Sequence, residues 1–263
     1  MQATGPQFEI RLARDEDDLM AAQRLRYDVF VRELGSAGAL VDHAAGLERD
    51  AFDPYYDHLI LFDHAREGSP AIGVYRLMRD DQVALENGGP GRFYSEDEYD
   101  ISTLTSSGRK LLELGRSCLH PDYRGGPAMM HLWNGLGDYV LDHGIEVLFG
   151  VASFHGTDID ALKAPLSLLH HRHLAPAHLR TRAQPDVYQE MNLLPEGQIN
   201  RPEAMRAVPA LIKAYLRLGG YVGEGAYVDH AFNTTDVCLI MDTELMSAKH
   251  KAFYTERDKG RRV

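Results

Sequence analysis

The stretch LLELGRSCLHPDYR, Leu111–Arg124, runs directly into Gly125, Gly126 and Pro127 and then into an amphipathic segment. It reads as strand, turn, helix. Hydrophobic residues carry a half-buried strand through Leu119, and Pro121-Asp122 ends it by removing a backbone donor from the ladder. A Gly pair just ahead of a helix lets bare backbone N–H groups approach a phosphate, and the helix dipole adds partial positive charge there. Arg124 adds a full charge. The plainer alternative is a tight turn that binds nothing.

The helix is expected over Pro127–His143, because Met129, Leu132, Trp133, Leu136 and Val140 recur at three- and four-residue spacing. Pro127 suits the first turn, where a missing N–H costs nothing, and Gly144 suits the left-handed residue after the last. VLFGVASF, Val147–Phe154, then reads as a strand buried on both faces of a mixed sheet. Strand, phosphate loop, helix and strand together predict a unit that binds an acyl carrier.

Outward from that unit, the pattern predicts a strand near Phe8–Ala13 and a helix over about Asp15–Leu34 with Leu19, Ala22, Leu25 and Val29 inward. Residues 35 to 56 are loop-rich. Strands follow at Asp57–Asp63 and Ile72–Arg79, with a Gly-rich connection at Asn87–Gly91. Further helices are expected at Asp158–His170 and Pro209–Leu218, and Val237–Met241 closes the sheet. With 263 residues the chain is expected to form one elaborated domain, its core about 8–160 and its extension about 161–263 completing the sheet.

Hydrophobic residues make up 44% and charged residues 25%, ordinary for a globular protein. No apolar run reaches the roughly 18 residues of a membrane helix. MQATGPQFEIRLARDEDD has neither the basic start nor the apolar core of a secretory signal, so a cytoplasmic location is expected. Cys118 and Cys238 lie in apolar strand-like contexts and read as reduced, packed thiols. A formal net charge of −11 argues against nucleic-acid binding. One segment runs the other way: 161–184 lacks acids and carries His170, His171, Arg172, His173, His178, Arg180 and Arg182. It reads equally as a docking patch for an acidic partner, an anchor for anionic lipid headgroups, or a solvated surface. No set of ligands at suitable spacing completes a zinc site around its histidines, and no metal is expected.

The residue pattern resembles the Gcn5-related N-acyltransferase fold, an α/β (α+β) mixed sheet flanked by helices, and within it the branch that uses acyl carrier protein. The acyl-homoserine-lactone synthases are resembled in Arg26-Tyr27-Asp28-Val29-Phe30-Val31, in Glu48, Asp50, Phe52 and Asp53, in Gly73 to Leu77, and in Glu113 and Arg116. A longer resemblance is to the bacterial L-ornithine N-alpha-acyltransferases of ornithine-lipid synthesis: RYDVFVRELG (26–35), DPYYDHLI (53–60), GRFYSEDEYDIS (91–102), LELGRSCLHPDYRGGPAMMHLWNGL (112–136) and VASFHGT (151–157). It continues weakly through HHRHLAP (170–176) and AYVDHAFNTTDVCLIM (226–241).

The resemblance implies transfer of a 3-hydroxyacyl chain from acyl carrier protein, a cosubstrate rather than a cofactor, to the α-amino group of L-ornithine, giving lyso-ornithine lipid. Two alternatives stay open: a homoserine-lactone synthase using S-adenosylmethionine, and a non-catalytic member of the fold that binds carrier or lipid. The amphiphilic product makes peripheral contact with the inner membrane an expectation.

N-acylation needs a neutral amine, a route for its proton and stabilisation of the oxyanion. Glu113, inside a hydrophobic strand and at the synthases' glutamate, is the candidate base; the alternative is an edge glutamate facing water. Arg116 is either its catalytic companion or a structural ion-pair partner. Strict alternation puts the two on opposite faces, and a bulge at Gly115 would reunite them. For a substrate with a carboxylate and an ammonium, Arg26 and Arg76 are candidates for the arginine fork, and Asp50, Asp53 and Asp57 for the acid. Arg124, Gly125 and Gly126 would hold the single phosphate of phosphopantetheine, Pro127 having shortened the cradle. His171, Arg172, Arg180 and Arg182 would dock the carrier. His58 with Asp63 does not match a glycerolipid acyltransferase pair, since LILF separates them within a strand, and Ser117 lacks the glycines of a nucleophile elbow.

Overall fold

A computed structural model describes residues 5–38 and 40–244. Chain contacts gather these into two compact units, residues 5–91 with 114–144 and residues 92–113 with 145–244.

In the first unit, β1 (Phe8–Leu12), β2 (Asp57–Asp63), β3 (Ala71–Arg79) and β4 (Leu111–Leu119) lie in the order 1-2-3-4. β1 and β2 are antiparallel from Phe8–Asp63 to Leu12–Leu59, and β2 runs antiparallel to β3. Nearly every residue of β2 and β3 is buried, because helices cover both faces. α1 (Glu16–Arg26) sets Ala22 and Leu25 on Ile60, Phe62 and Val74. The neighbouring Leu59 and Leu61 point the other way, and there α2 (Ala128–His143) comes so close that a Cβ on its Gly135 would lie 2.6 Å from Ile10 and 3.4 Å from Leu59. Gly73 admits Leu119 and Leu132 in the same manner.

α1 starts where Asp15 accepts a hydrogen bond from the Asp18 amide at 2.9 Å, an N-cap. The single helix expected to Leu34 changes register after Arg26. Tyr27–Glu33 is a π-helix, with Leu34 N–H donating to the Val29 carbonyl five residues back. Tyr27, Val29, Phe30 and Val31 are weak α-formers, and π turns concentrate at functional sites.

In the second unit, β5 (Val147–His155) pairs antiparallel with β7 (Thr234–Asp242) over nine residues, and β6 (Ala226–Asp229) pairs with β7. The first residues of β4, Leu111 to Glu113, run parallel to Val147 to Phe149, so the sheet is mixed. β7 extends the expected Val237–Met241 at both ends. α3 (Ile159–His173) begins at Asp158, which accepts from the Asp160 and Ala161 amides. It outruns the expected His170 because His170, His171, Arg172 and His173 fill its last turn, where cations suit the helix dipole. Its Leu168 packs with Ile199 and with Ala204 of α4 (Arg201–Ala207), and α5 (Ala210–Arg217) follows. Among the described residues no helix is long and apolar enough to cross a membrane.

Candidate active site

Six charged side chains of the first unit close into a ring of alternating sign. Arg26, the last residue of α1, bridges Glu48 and Asp53, its Nη1 donating to Asp53 Oδ1 at 2.7 Å. Arg76, on β3, joins Asp53 (3.0 Å) to Asp50 (2.5 Å). Arg116, on β4, joins Asp50 (3.1 Å) back to Glu48 (3.2 Å). Each carboxylate thus serves two guanidinia and each guanidinium two carboxylates, so the formal charges cancel. Gln23 adds a hydrogen bond to Asp53 at 3.0 Å, the Arg76 guanidinium stacks 4.2 Å from the Tyr56 ring centre, and Gly115 lies against Arg76.

Burial is uneven around the ring. Arg26, Arg76 and Glu48 are 1% exposed and Asp53 4%, whereas Arg116 is 14% and Asp50 17% exposed. The accessible edge is therefore Arg116 with Asp50. Arg26 and Arg76, expected to meet a substrate carboxylate, sit inside the ring on the chain's own acids. Asp50 and Asp53, expected to offer an acid to the substrate's ammonium, also sit in the ring, on Arg26, Arg76 and Arg116. Asp57 joins another group, accepting from Arg79 at 2.8 Å and from the Tyr139 hydroxyl at 2.6 Å. Glu48, which the sequence did not single out as a site residue, closes the ring. Its signal was its place in the resemblance to the homoserine-lactone synthases; local sequence could not show the pairing, which spans 22 and 68 positions.

Burial pushes the Asp50 and Asp53 carboxyls up, and the neighbouring arginines, Arg76 and Arg116 for the first and Arg26 and Arg76 for the second, more than offset it. Both end below the ordinary value of 3.8. The unfolded chain then binds these protons more readily, so the ring's stabilisation is complete above about pH 4 and lost as pH falls further. Thermal melting is expected to vary little between pH 7 and pH 5 and to fall steeply from about pH 4 downward; a midpoint unchanged at pH 3 would contradict this.

β4 carries the irregularity the sequence placed at Gly115, but one residue later. Arg116 has φ 48°, a left-handed conformation that costs a non-glycine residue about 1–3 kcal/mol and concentrates at functional sites. Glu113, in the second unit, is 1% exposed, so it is not an edge glutamate facing water. Its oxygens accept the backbone N–H groups of Tyr94 (3.0 Å) and Ser95 (2.6 Å).

The loop before α2 is tied down in three ways. Tyr123 donates to buried Asp63 at 2.6 Å, Arg124 donates through Nε and Nη2 to the Leu119 carbonyl, and Gly125 takes φ 74°, a conformation glycine adopts at little cost. The Arg124 fork is filled by Glu33, at 2.6 and 2.7 Å.

The acid-free segment 161–184 is not acid-free in space. Arg172 pairs with Glu196, and Arg182 and Arg180 reach Glu224. His171 bonds the Leu194 carbonyl at 2.9 Å. Also in the second unit, carboxylate oxygens of buried Glu98, Asp229 and Asp236 lie within 4.8 Å of one another, a spacing compatible with a cation; no sequence motif marks them.

The model of the acetyltransferase (GNAT) domain matches residues 25–134, a span that holds the whole ring. The chain is 58% identical over 264 residues, 99% of its length and 100% of the other's, to the L-ornithine N(alpha)-acyltransferase of Rhodobacter capsulatus. Identity is 41% over 252 residues, 94% of this chain and 88% of the other, to the protein so named from Brucella abortus. The solved structure of BjaI, a CoA-dependent acyl-homoserine lactone synthase, with SAM and isopentyl-CoA, aligns with a TM-score of 0.51 at 13% identity, covering 96% of this chain and 89% of that one, a likeness of fold.

Proposed function

The chain belongs to the L-ornithine N(alpha)-acyltransferase family, of GNAT fold, and from that premise we propose that it transfers a 3-hydroxyacyl chain from acyl carrier protein to the α-amino group of L-ornithine. The product is lyso-ornithine lipid. The observation that carries the acceptor is the identity of 58% over 99% of the chain.

The ring supports how ornithine is read. A substrate carrying both a carboxylate and an ammonium suits its accessible edge, with the positive charge of Arg116 facing the carboxylate and Asp50 the ammonium while both keep their ring partners. Arg26, Arg76, Asp53 and Glu48 hold that edge in place. Glu113, acceptor-only when ionised, takes the proton that the α-ammonium must lose before its nitrogen attacks. The C–N bond forms, the thioester C–S bond breaks, and the departing thiolate collects a proton. Arg124, with the amides of Gly125 and Gly126 ahead of α2, holds the phosphate of the phosphopantetheine arm. His171, Arg172, Arg180 and Arg182 remain the proposed carrier-docking face. Because Glu196 and Glu224 pair with its arginines, docking there exchanges internal ion pairs for intermolecular ones. The lipid product gives a reason for peripheral contact with the inner membrane.

Supplying 3-hydroxypalmitoyl carrier protein or 3-hydroxypalmitoyl-CoA at equal concentration, with ornithine, tests the donor. N-acyl-ornithine is expected to form faster from the carrier protein; faster turnover of the CoA thioester would reassign the donor.

A further inference from the structure

We propose that Glu33 is the resident counter-anion of Arg124, occupying the guanidinium fork that the donor's phosphate takes on binding, and that it thereby sets donor affinity. The inference rests on reading Arg124, Gly125 and Gly126 as the phosphate cradle.

Both Glu33 oxygens meet the Arg124 fork, at 2.6 and 2.7 Å, the bidentate geometry in which arginine also receives two phosphate oxygens. Arg124 does not need Glu33 to hold its place, because Nε (3.2 Å) and Nη2 (3.1 Å) also donate to the Leu119 carbonyl within the same loop. Glu33 therefore occupies the fork without being its anchor. The pair is open to water, with Arg124 43% and Glu33 35% exposed, so breaking it leaves no charge buried and costs little. Glu33 ends the π-helix Tyr27–Glu33, and its bearing follows from that wider register rather than from a continued α-helix. Arg32, its neighbour, is committed to Asp28 at 2.7 Å, and Arg124 is the guanidinium that Glu33 bonds. A donor phosphate thus displaces a carboxylate that the chain itself supplies, and this competition acts on donor binding alone.

Steady-state kinetics of the full-length enzyme with 3-hydroxypalmitoyl carrier protein at saturating ornithine test this with Glu33→Gln, Arg124→Gln and the double variant. Glu33→Gln is expected to lower the donor KM about two- to fivefold, the range of an exposed ion pair, with the ornithine KM unmoved. Arg124→Gln raises the donor KM, and the double variant behaves as Arg124→Gln, since the competitor matters only while the fork exists. A donor KM that rises or stays constant in Glu33→Gln, while Arg124→Gln raises it, overturns the role of Glu33 and leaves the cradle standing. A donor KM indifferent to Arg124→Gln overturns the cradle and the inference with it.

Discussion

Replacing Arg26 by methionine is expected to destabilise the protein by about 3–5 kcal/mol, the cost of removing one partner from a buried ion pair. The guanidinium is 1% exposed, and without it Glu48 keeps Arg116 and Asp53 keeps Arg76, but the ring is left with three carboxylates and two cations. One negative charge then lies uncompensated among groups that water barely reaches. For a chain of this size the loss corresponds to a fall of roughly 6–20 °C in the melting midpoint. The same change at exposed Arg32, which pairs with Asp28 in the adjacent helical turn and lies 5.2 Å over the Tyr27 ring, should move the midpoint by only a few degrees, about the effect of surface contacts. If Arg26→Met melts within about 2 °C of the parent, the ring is not the buried, mutually dependent unit described above.

Glu113→Gln is expected to lower kcat by about 10²- to 10⁴-fold, the usual contribution of a positioned general base. The substitution is nearly isosteric, yet it has a structural cost that must be separated from the catalytic one. The carboxylate accepts from the Tyr94 and Ser95 amides, and a glutamine offers its single oxygen to one of them while its NH₂ faces the other donor. A loss of about 1–3 kcal/mol in stability follows from that unmet bond. Melting and turnover measured on the same preparation distinguish the roles. A folded variant with collapsed kcat supports the base, whereas unchanged kcat with a lowered midpoint makes Glu113 an anchor for the 94–95 turn.

Local signals carried the fold well and the site only in fragments. β2 and the strand Leu111–Leu119 are placed as expected because their apolar runs end at strong punctuation, Pro54-Tyr55-Tyr56 before one and Pro121 after the other. α2 ends at Gly144, φ 64°, a left-handed residue the sequence marks by its glycine. The register change at Tyr27 was not legible, since α and π turns share an apolar pattern over seven residues and differ in which carbonyl each amide meets. Nor was the ring. Arg26, Asp50 and Asp53 were visible as charged residues near apolar ones, but the closing partner Glu48 and the inward position of Arg76 depend on loops brought together from across the chain. The surroundings of the basic segment were hidden for the same reason. Composition along 161–184 contains no acid, while Glu196 and Glu224 arrive on it from later segments.

If Asp50 at the accessible edge receives the side-chain ammonium of ornithine, an acceptor without that charge forgoes a charge-assisted contact there. Glycine, with no side-chain ammonium, and glutamine, with a neutral amide, should both be poor acceptors beside ornithine.

One mass-spectrometric assay tests the assignment most directly: purified protein with 3-hydroxypalmitoyl carrier protein and an equimolar mixture of ornithine, lysine, glutamine, glycine and S-adenosylmethionine. N-acyl-ornithine is the predicted dominant product. Dominant acylation of another amino acid, or an acyl-homoserine lactone, would contradict the assignment.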